Sequence, residues 1–244
     1  MLTCRSFLSL IFTTALFVVV AGCASTQDAT QSTSPDASSG EWVTLFDGTS
    51  LDGWTQAGPG QFTLQDDGTM QSEGGMGLFY YSEQSFRDYV LELDWKVAND
   101  SANSGLFLRF PERTDDPWYA VNNGYEIQID GSAQAPINQT GAVYDVSAPF
   151  KQAANPAGAW NTYRIKVTGQ RYEIFLNGEK VNDFFGERGR EGYIGMQNHD
   201  PNSTTWFRNI RVQPLPDENY PTRLAELYRV ADERAPIRVL MVTA

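Results

Sequence analysis

Positive charge, histidine and cysteine are all scarce in this chain of 244 residues. Eighteen Lys and Arg stand against 30 Asp and Glu, a formal net charge of −12. Nucleic acid needs a basic footprint, so no nucleic-acid partner is expected. Cys4 and Cys23 are the two cysteines, and both precede the first strand-like run. The folded part therefore has no disulfide, no Cys-ligated zinc and no Cys nucleophile. His199 is the one histidine, and neither H-E-x-x-H nor an EF-hand loop occurs. No Gly-rich dinucleotide loop is present, and no long amphipathic helix stands before Pro214. What is plentiful is aromatic and apolar material, 13% and 41% of the chain, enough for the core of one domain of about 170–200 residues with tails.

The first 22 residues read as a targeting segment. Arg5 precedes the apolar run 7–21, which is too short to span a membrane. The run ends in V-A-G-C, which resembles a bacterial lipobox with Cys23 as the lipidated residue. A Ser/Thr/Gln-rich stretch over 23–40 cannot bury a core and reads as a tether. The expected location is the cell envelope, outside the cytoplasm, with the membrane as partner through that lipid.

From Glu41 the chain becomes short alternating runs separated by Gly, Asp and Asn turns. Val43 sits in a first strand, and a hairpin follows around Asp66-Asp67-Gly68. In 89–97, Tyr89, Leu91, Leu93, Trp95 and Val97 share one face, the pattern of a half-buried antiparallel strand. Residues 103–110 place Phe107 and Arg109 together on one face, and Thr140–Tyr144 reads as a further strand. Asn177-Gly178 is the strongest hairpin dipeptide. More than ten such strands predict an all-β sandwich of two antiparallel sheets over 41–213. Residues 214–244 read as a linker with a helix at 222–233, then the run I-R-V-L-M-V-T, which reads as the first strand of a second domain.

The stretch Gly124–Asp130, G-Y-E-I-Q-I-D, is the chemical focus. A strand alternates with period two, so Glu126, Gln128 and Asp130 share one face while Ile127 and Ile129 point to a core. Two carboxylates flanking an amide suit acid/base work or metal binding, and they also suit a plain solvated sheet face. Arg109 offers a permanently charged fork of donors. His199, with Gln197 on the same strand face, supplies an imidazole that could serve as base, acid or metal ligand. Tyr144 and Asp145 end a strand near the site loops, and Trp118 and Tyr119 precede the focal strand, where they could stack on a sugar ring. A divalent ion such as Mn²⁺, Mg²⁺, Ca²⁺ or Zn²⁺ would suit the mixed nitrogen and oxygen donors of His199, Glu126, Gln128 and Asp130, and the metal is left open.

L-F-D-G-T-S-L-D-G-W (45–54), N-S-G-L-F-L-R (103–109), Y-E-I-Q-I-D (125–130), T-G-A-V-Y (140–144), G-A-W-N-T-Y-R-I (158–165), L-N-G (176–178), G-Y-I-G-M-Q-N-H (192–199) and F-R-N-I (207–210) occur in this order. Together they resemble the 3-keto-disaccharide hydrolase family, a concanavalin-A-like jelly-roll group. The end of the chain resembles the start of a trehalose-utilisation-type domain. The first resemblance implies an enzyme acting on glycosides already oxidised to a ketone at C3. A C3 carbonyl acidifies the C2 hydrogen, so the bond can break by proton abstraction and β-elimination. Direct hydrolysis by two carboxylates is the alternative. Glu126, Asp130, His199 and Arg109 are the expected catalytic groups. Gln128, Gln197, Tyr144, Asp145, Trp118 and Tyr119 are the expected substrate-binding groups. A separate nicotinamide-dependent sugar 3-dehydrogenase is the implied partner. A lectin-like binding lipoprotein without turnover is the reading from a different class.

Overall fold

The computed structural model describes residues 40–216. The leader, Cys23, the tether, the helix expected at 222–233 and the terminal run lie outside these residues. Among the described residues no helix is long and apolar enough to cross a membrane.

Two antiparallel sheets face each other. The larger contains β1 (Val43–Phe46), β3 (Gln61–Leu64), β4 (Met70–Glu73), β6 (Tyr89–Val97), β9 (Asn161–Thr168), β10 (Arg171–Leu176), β11 (Glu179–Phe185) and β13 (Thr205–Pro214). Its order is β11-β10-β9-β6-β13-β4-β3, with β1 also on β13. The smaller contains β2 (Trp54–Ala57), β5 (Gly77–Phe86), β7 (Asn103–Phe110), β8 (Tyr125–Asp130) and β12 (Gly192–Asn198), in the order β2-β5-β12-β7-β8. The expected all-β jelly-roll sandwich is what the chain forms. β2 was not foreseen, because four residues straight after Asp52-Gly53 read as part of a turn.

The alternating patterns place the core. Leu91, Leu93, Trp95, Ile165, Val167 and Ile174 of the large sheet meet Leu106, Leu108, Ile127, Ile129, Ile194 and Met196 of the small one, all buried. Burying an aliphatic or aromatic side chain of this size stabilises by about 1.5–3 kcal/mol. A smaller cluster lies on the outward face of the five-stranded sheet. There Ala57, Leu78, Tyr80, Phe107 and Phe110 are covered by Ala120 of a short helix, α1 (Tyr119–Asn123). Asn177 and Gly178 have φ of 52° and 83°, the two positive values a type I′ turn needs between β10 and β11.

Two strand expectations change. Arg109 was expected on the face of Phe107. The register between β7 and β12 instead slips at Tyr193/Ile194, which oppose Phe110 and Leu108 and leave Arg109 bulged at φ 56°. A bulge re-aims the side chain it carries. Gly192 makes room for it, since a Cβ there would sit 2.5 Å from the Arg109 carbonyl carbon. The guanidinium therefore turns inward, where it bonds Asp88 Oδ1 at 2.9 Å and Tyr172 Oη at 3.4 Å. Thr140–Tyr144 is not a strand. It edges β8 through one bridge, Ile127 to Val143, and through bonds from Gln128 N to Ala142 O and Tyr144 N to Glu126 O. It then doubles back, with Ser147 N donating to Val143 O.

Candidate active site

β8 is the edge strand of the small sheet, and its odd-numbered isoleucines are locked into the core. Glu126 and Gln128 must then project outward, opposite Phe107 and Gly105 of β7. Gly105 is the reason the carboxylate can lie flat on the sheet. A Cβ at that position would stand 2.2 Å from Glu126 Oε1 and 2.7 Å from its Cγ. Gly105→Ala is accordingly expected to displace Glu126 and to lower turnover at least tenfold with the fold intact; circular dichroism together with initial rates would check this.

The Gln128 carboxamide is satisfied with its nitrogen facing Ser104 O and Glu126 Oε1, 3.1 Å from each. Glu126 is 5% exposed and Gln128 2%. Loss of solvent pushes the Glu126 carboxyl from its ordinary 4.5 up to about 8, because burial disfavours the charged form. A carboxyl raised this far changes charge near neutral pH, and perturbed groups of this kind concentrate at functional sites.

Glu126 opens on a cleft of ≈ 320 Å³ lined also by Asn122, Tyr144, Asp145 and Arg188. Tyr144 is 38% exposed, and Asp145 is held at φ 56° by the tight turn that returns the chain along β8. Arg188 lies in the loop between β11 and β12. Its Nη1 donates to Val121 O at 3.2 Å and to Gly124 O, and its guanidinium carbon stands 4.9 Å from the Tyr125 ring centre. The Tyr125 hydroxyl accepts from the amides of Glu187 and Arg188 at 2.7 and 3.0 Å, which ties this loop to β8. Arg188 was not foreseen. Its only signal was a cation between two glycines, Gly186 and Gly189, in a loop.

The other expected residues do not converge on Glu126. Asp130 Oδ1 accepts from Ser132 N and Ser132 Oγ at 2.8 Å and from Ala133 N at 3.0 Å, and its Oδ2 accepts from Asn103 Nδ2 at 3.2 Å. It shapes the turn after β8. Arg109, expected among the catalytic groups, is instead fully buried between the sheets, on the opposite side from the Glu126 face, where it pairs with Asp88. His199 follows the end of β12, with its side chain 44% exposed and Nδ1 2.9 Å from Asp200 Oδ2. Gln197 is buried on β12, and its Oε1 has no hydrogen-bond partner. Trp118 is 55% exposed immediately before α1, while Tyr119 is half-buried against the outward cluster.

The donor set weighed for a metal does not fit one. Asp130 is consumed by its turn and His199 by Asp200, and no group of three His, Cys, Asp or Glu side chains among the described residues is placed to hold an ion.

The site is thus a buried carboxyl at the edge of a small cleft on a jelly-roll sandwich. Residues 41–213 match the model of the 3-keto-alpha-glucoside-1,2-lyase-like domain, and the chain belongs to that family. It is similar to a 3-keto-disaccharide hydrolase of Bacteroides thetaiotaomicron, 28% identical over 231 residues that cover 71% of this chain and 78% of that protein. Its fold matches the crystal structure of a candidate glycosyl hydrolase from Parabacteroides distasonis at TM-score 0.62 and 20% identity, covering 71% of this chain and 94% of that one. A carbohydrate-binding module, CBM66 of Bacillus subtilis, matches at TM-score 0.52 and 20% identity, covering 71% and 99%.

Proposed function

We propose that the protein cleaves glucosides oxidised to a ketone at C3, by elimination, with Glu126 as the base. The observation that carries this reading is the Glu126 carboxyl, buried to a pKa of about 8 at the wall of a cleft that fits one sugar ring. An ionised carboxylate of that basicity is well matched to a carbon acid made labile by a neighbouring carbonyl.

The C2 proton passes to Glu126, and the C2–H electron pair moves into an enolate on the C3 oxygen. The enolate then collapses to a C1–C2 double bond and the C1–O bond breaks, releasing the leaving group on its oxygen. Water adds to the double bond afterwards. Arg188 and the Tyr144 hydroxyl, both on the cleft wall, supply charge and a donor for the enolate oxygen. Gln128 keeps the Glu126 carboxyl in place through its amide. An extracytoplasmic position, anchored through lipid on Cys23, accords with the V-A-G-C sequence. A sugar 3-dehydrogenase must act first, since this chain has no dinucleotide loop to make the ketone itself.

The fold likeness to CBM66 favours a second reading, binding without turnover. Incubation with a 3-keto glucoside and with its unoxidised parent separates the two. Release of the aglycone from the keto form alone is the expected result. Binding of either sugar with no release from either would leave the lectin reading standing.

A further inference from the structure

The Glu126 cleft does not end at Arg188. Tyr125, Val146 and Arg188 also line a larger cleft of ≈ 690 Å³ that continues over Phe184 and Phe185 of β11. Ligand sites hold roughly 300–1,000 Å³, so the smaller cleft suits one ring and the larger a second. We propose that the larger cleft is the leaving-group subsite and that it takes an aromatic aglycone. This rests on the function proposed above and names the other half of the substrate.

Three observations carry it. The wall is aromatic and preformed: the Phe184 ring stands 5.1 Å edge-on to Tyr125 and 5.8 Å from Tyr172, so the core holds it in place. Phe185 lies 5.7 Å from the Arg171 guanidinium carbon, and Arg171 is itself fixed by Nε and Nη2 bonds of 2.9 and 2.8 Å to Asp183. Second, the rim between the two clefts leaves Tyr144 38% and Val146 43% exposed. Apolar surface left in water beside a fixed aromatic wall gains most from a flat, apolar partner. Third, among the described residues the larger cleft offers no buried neutral acid of its own. Asp183 accepts from both Arg171 and Lys180 and stays a carboxylate, while Glu187 is exposed. An alkoxide leaving group needs a general acid and would depend on the proton that Glu126 has just taken from C2. A phenol, whose pKa of about 10 matches that of tyrosine, departs as its oxide without one. The leaving step then closes on this chain's groups: Glu126 takes the C2 proton, the C1–O pair goes to the aryl oxygen, and solvent protonates the aryl oxide.

The test compares 3-keto phenyl glucoside, 3-keto methyl glucoside and a 3-keto glucose disaccharide on the full chain and on Phe185→Ser and Val146→Glu. The expected result is a phenyl-to-methyl ratio of kcat/KM of at least 100, falling about tenfold in each variant, with free phenol a better competitive inhibitor than glucose. The ratio in the variants controls for the intrinsic ease of phenol departure, which no substitution in the protein changes. Unchanged ratios in both variants, or equal inhibition by phenol and glucose, would overturn the subsite assignment. Turnover of the disaccharide with no phenyl preference would overturn the inference and leave the proposed function standing. No turnover of any keto substrate would take down both.

Discussion

Glu126→Gln is expected to cut cleavage of a 3-keto glucoside by about 10²–10⁴-fold, the usual worth of a positioned acid–base group, while making the protein more stable at high pH. The two effects have one cause. Burial raises the carboxyl from 4.5 to about 8, so the folded protein keeps a proton that the unfolded chain has already released. Below pH 4.5 both states are protonated and nothing is lost. As pH rises from about 4.5 through 8 the unfolded state binds fewer protons and stability falls, until the full cost is reached above 8. At about 1.4 kcal/mol per tenfold change, that cost amounts to a few kcal/mol. Glutamine fills the same space without the titration. Urea midpoints of wild type and variant should therefore agree near pH 4 and separate at pH 9, with the variant higher. In the wild type, kcat/KM should climb through the same range, because the ionised form is the base. A variant that keeps its turnover, or a stability difference that is flat with pH, would remove Glu126 from the role given to it.

Arg109→Ala is expected to act on stability rather than chemistry, costing about 3–5 kcal/mol, the usual penalty for stripping one partner from a buried ion pair. Asp88, 7% exposed, would lose the Arg109 guanidinium while its Oδ1 still accepts from Gly169 N at 3.0 Å. The guanidinium also donates from Nε to Arg87 O at 2.9 Å, and Arg87 and Gly169 both flank strand ends. Arg109→Lys should fare little better, because one ammonium cannot replace a fork that reaches Asp88, Arg87 O and Tyr172 Oη together. Replacing both partners, as in Arg109→Met with Asp88→Leu, should recover much of the loss, since apolar groups of similar volume often substitute for buried pairs. Denaturant midpoints decide the matter. A large fall in kcat at an unchanged midpoint would return Arg109 to the active site.

The contrast between these two residues shows what could be read from the chain. Glu126 was visible because its neighbours Ile127 and Ile129 alternate with it, and alternation is enforced by a backbone whose side chains flip with every residue. Arg109 was misplaced by the same rule. Its strand has apolar residues on both sides, and one bulge at φ 56° reverses the face without leaving a mark in the hydrophobic pattern. Asp130 kept its face but lost its chemistry to Ser132 and Ala133 two and three residues on, a local turn that a following D-G-S pattern does signal. His199 sits one residue past its strand, where the alternation that ties Gln197 to the sheet no longer binds it.

Alternation, Asp-Gly and Asn-Gly turns and the ordered motifs were enough to determine the sandwich, its antiparallel sheets and the strand that carries Glu126. These are local or short-range rules, and each residue obeys them with its near neighbours. Only the tertiary structure decided that Gly105 lies beneath the carboxylate, that Arg188 arrives from the β11–β12 loop, and that Phe184 and Phe185 line a second cleft sharing Tyr125, Val146 and Arg188 with the first. Those meetings join residues far apart in the chain, and what raises the Glu126 carboxyl is its loss of water on burial. Burial of that kind belongs to the packed fold, and no window of sequence contains it.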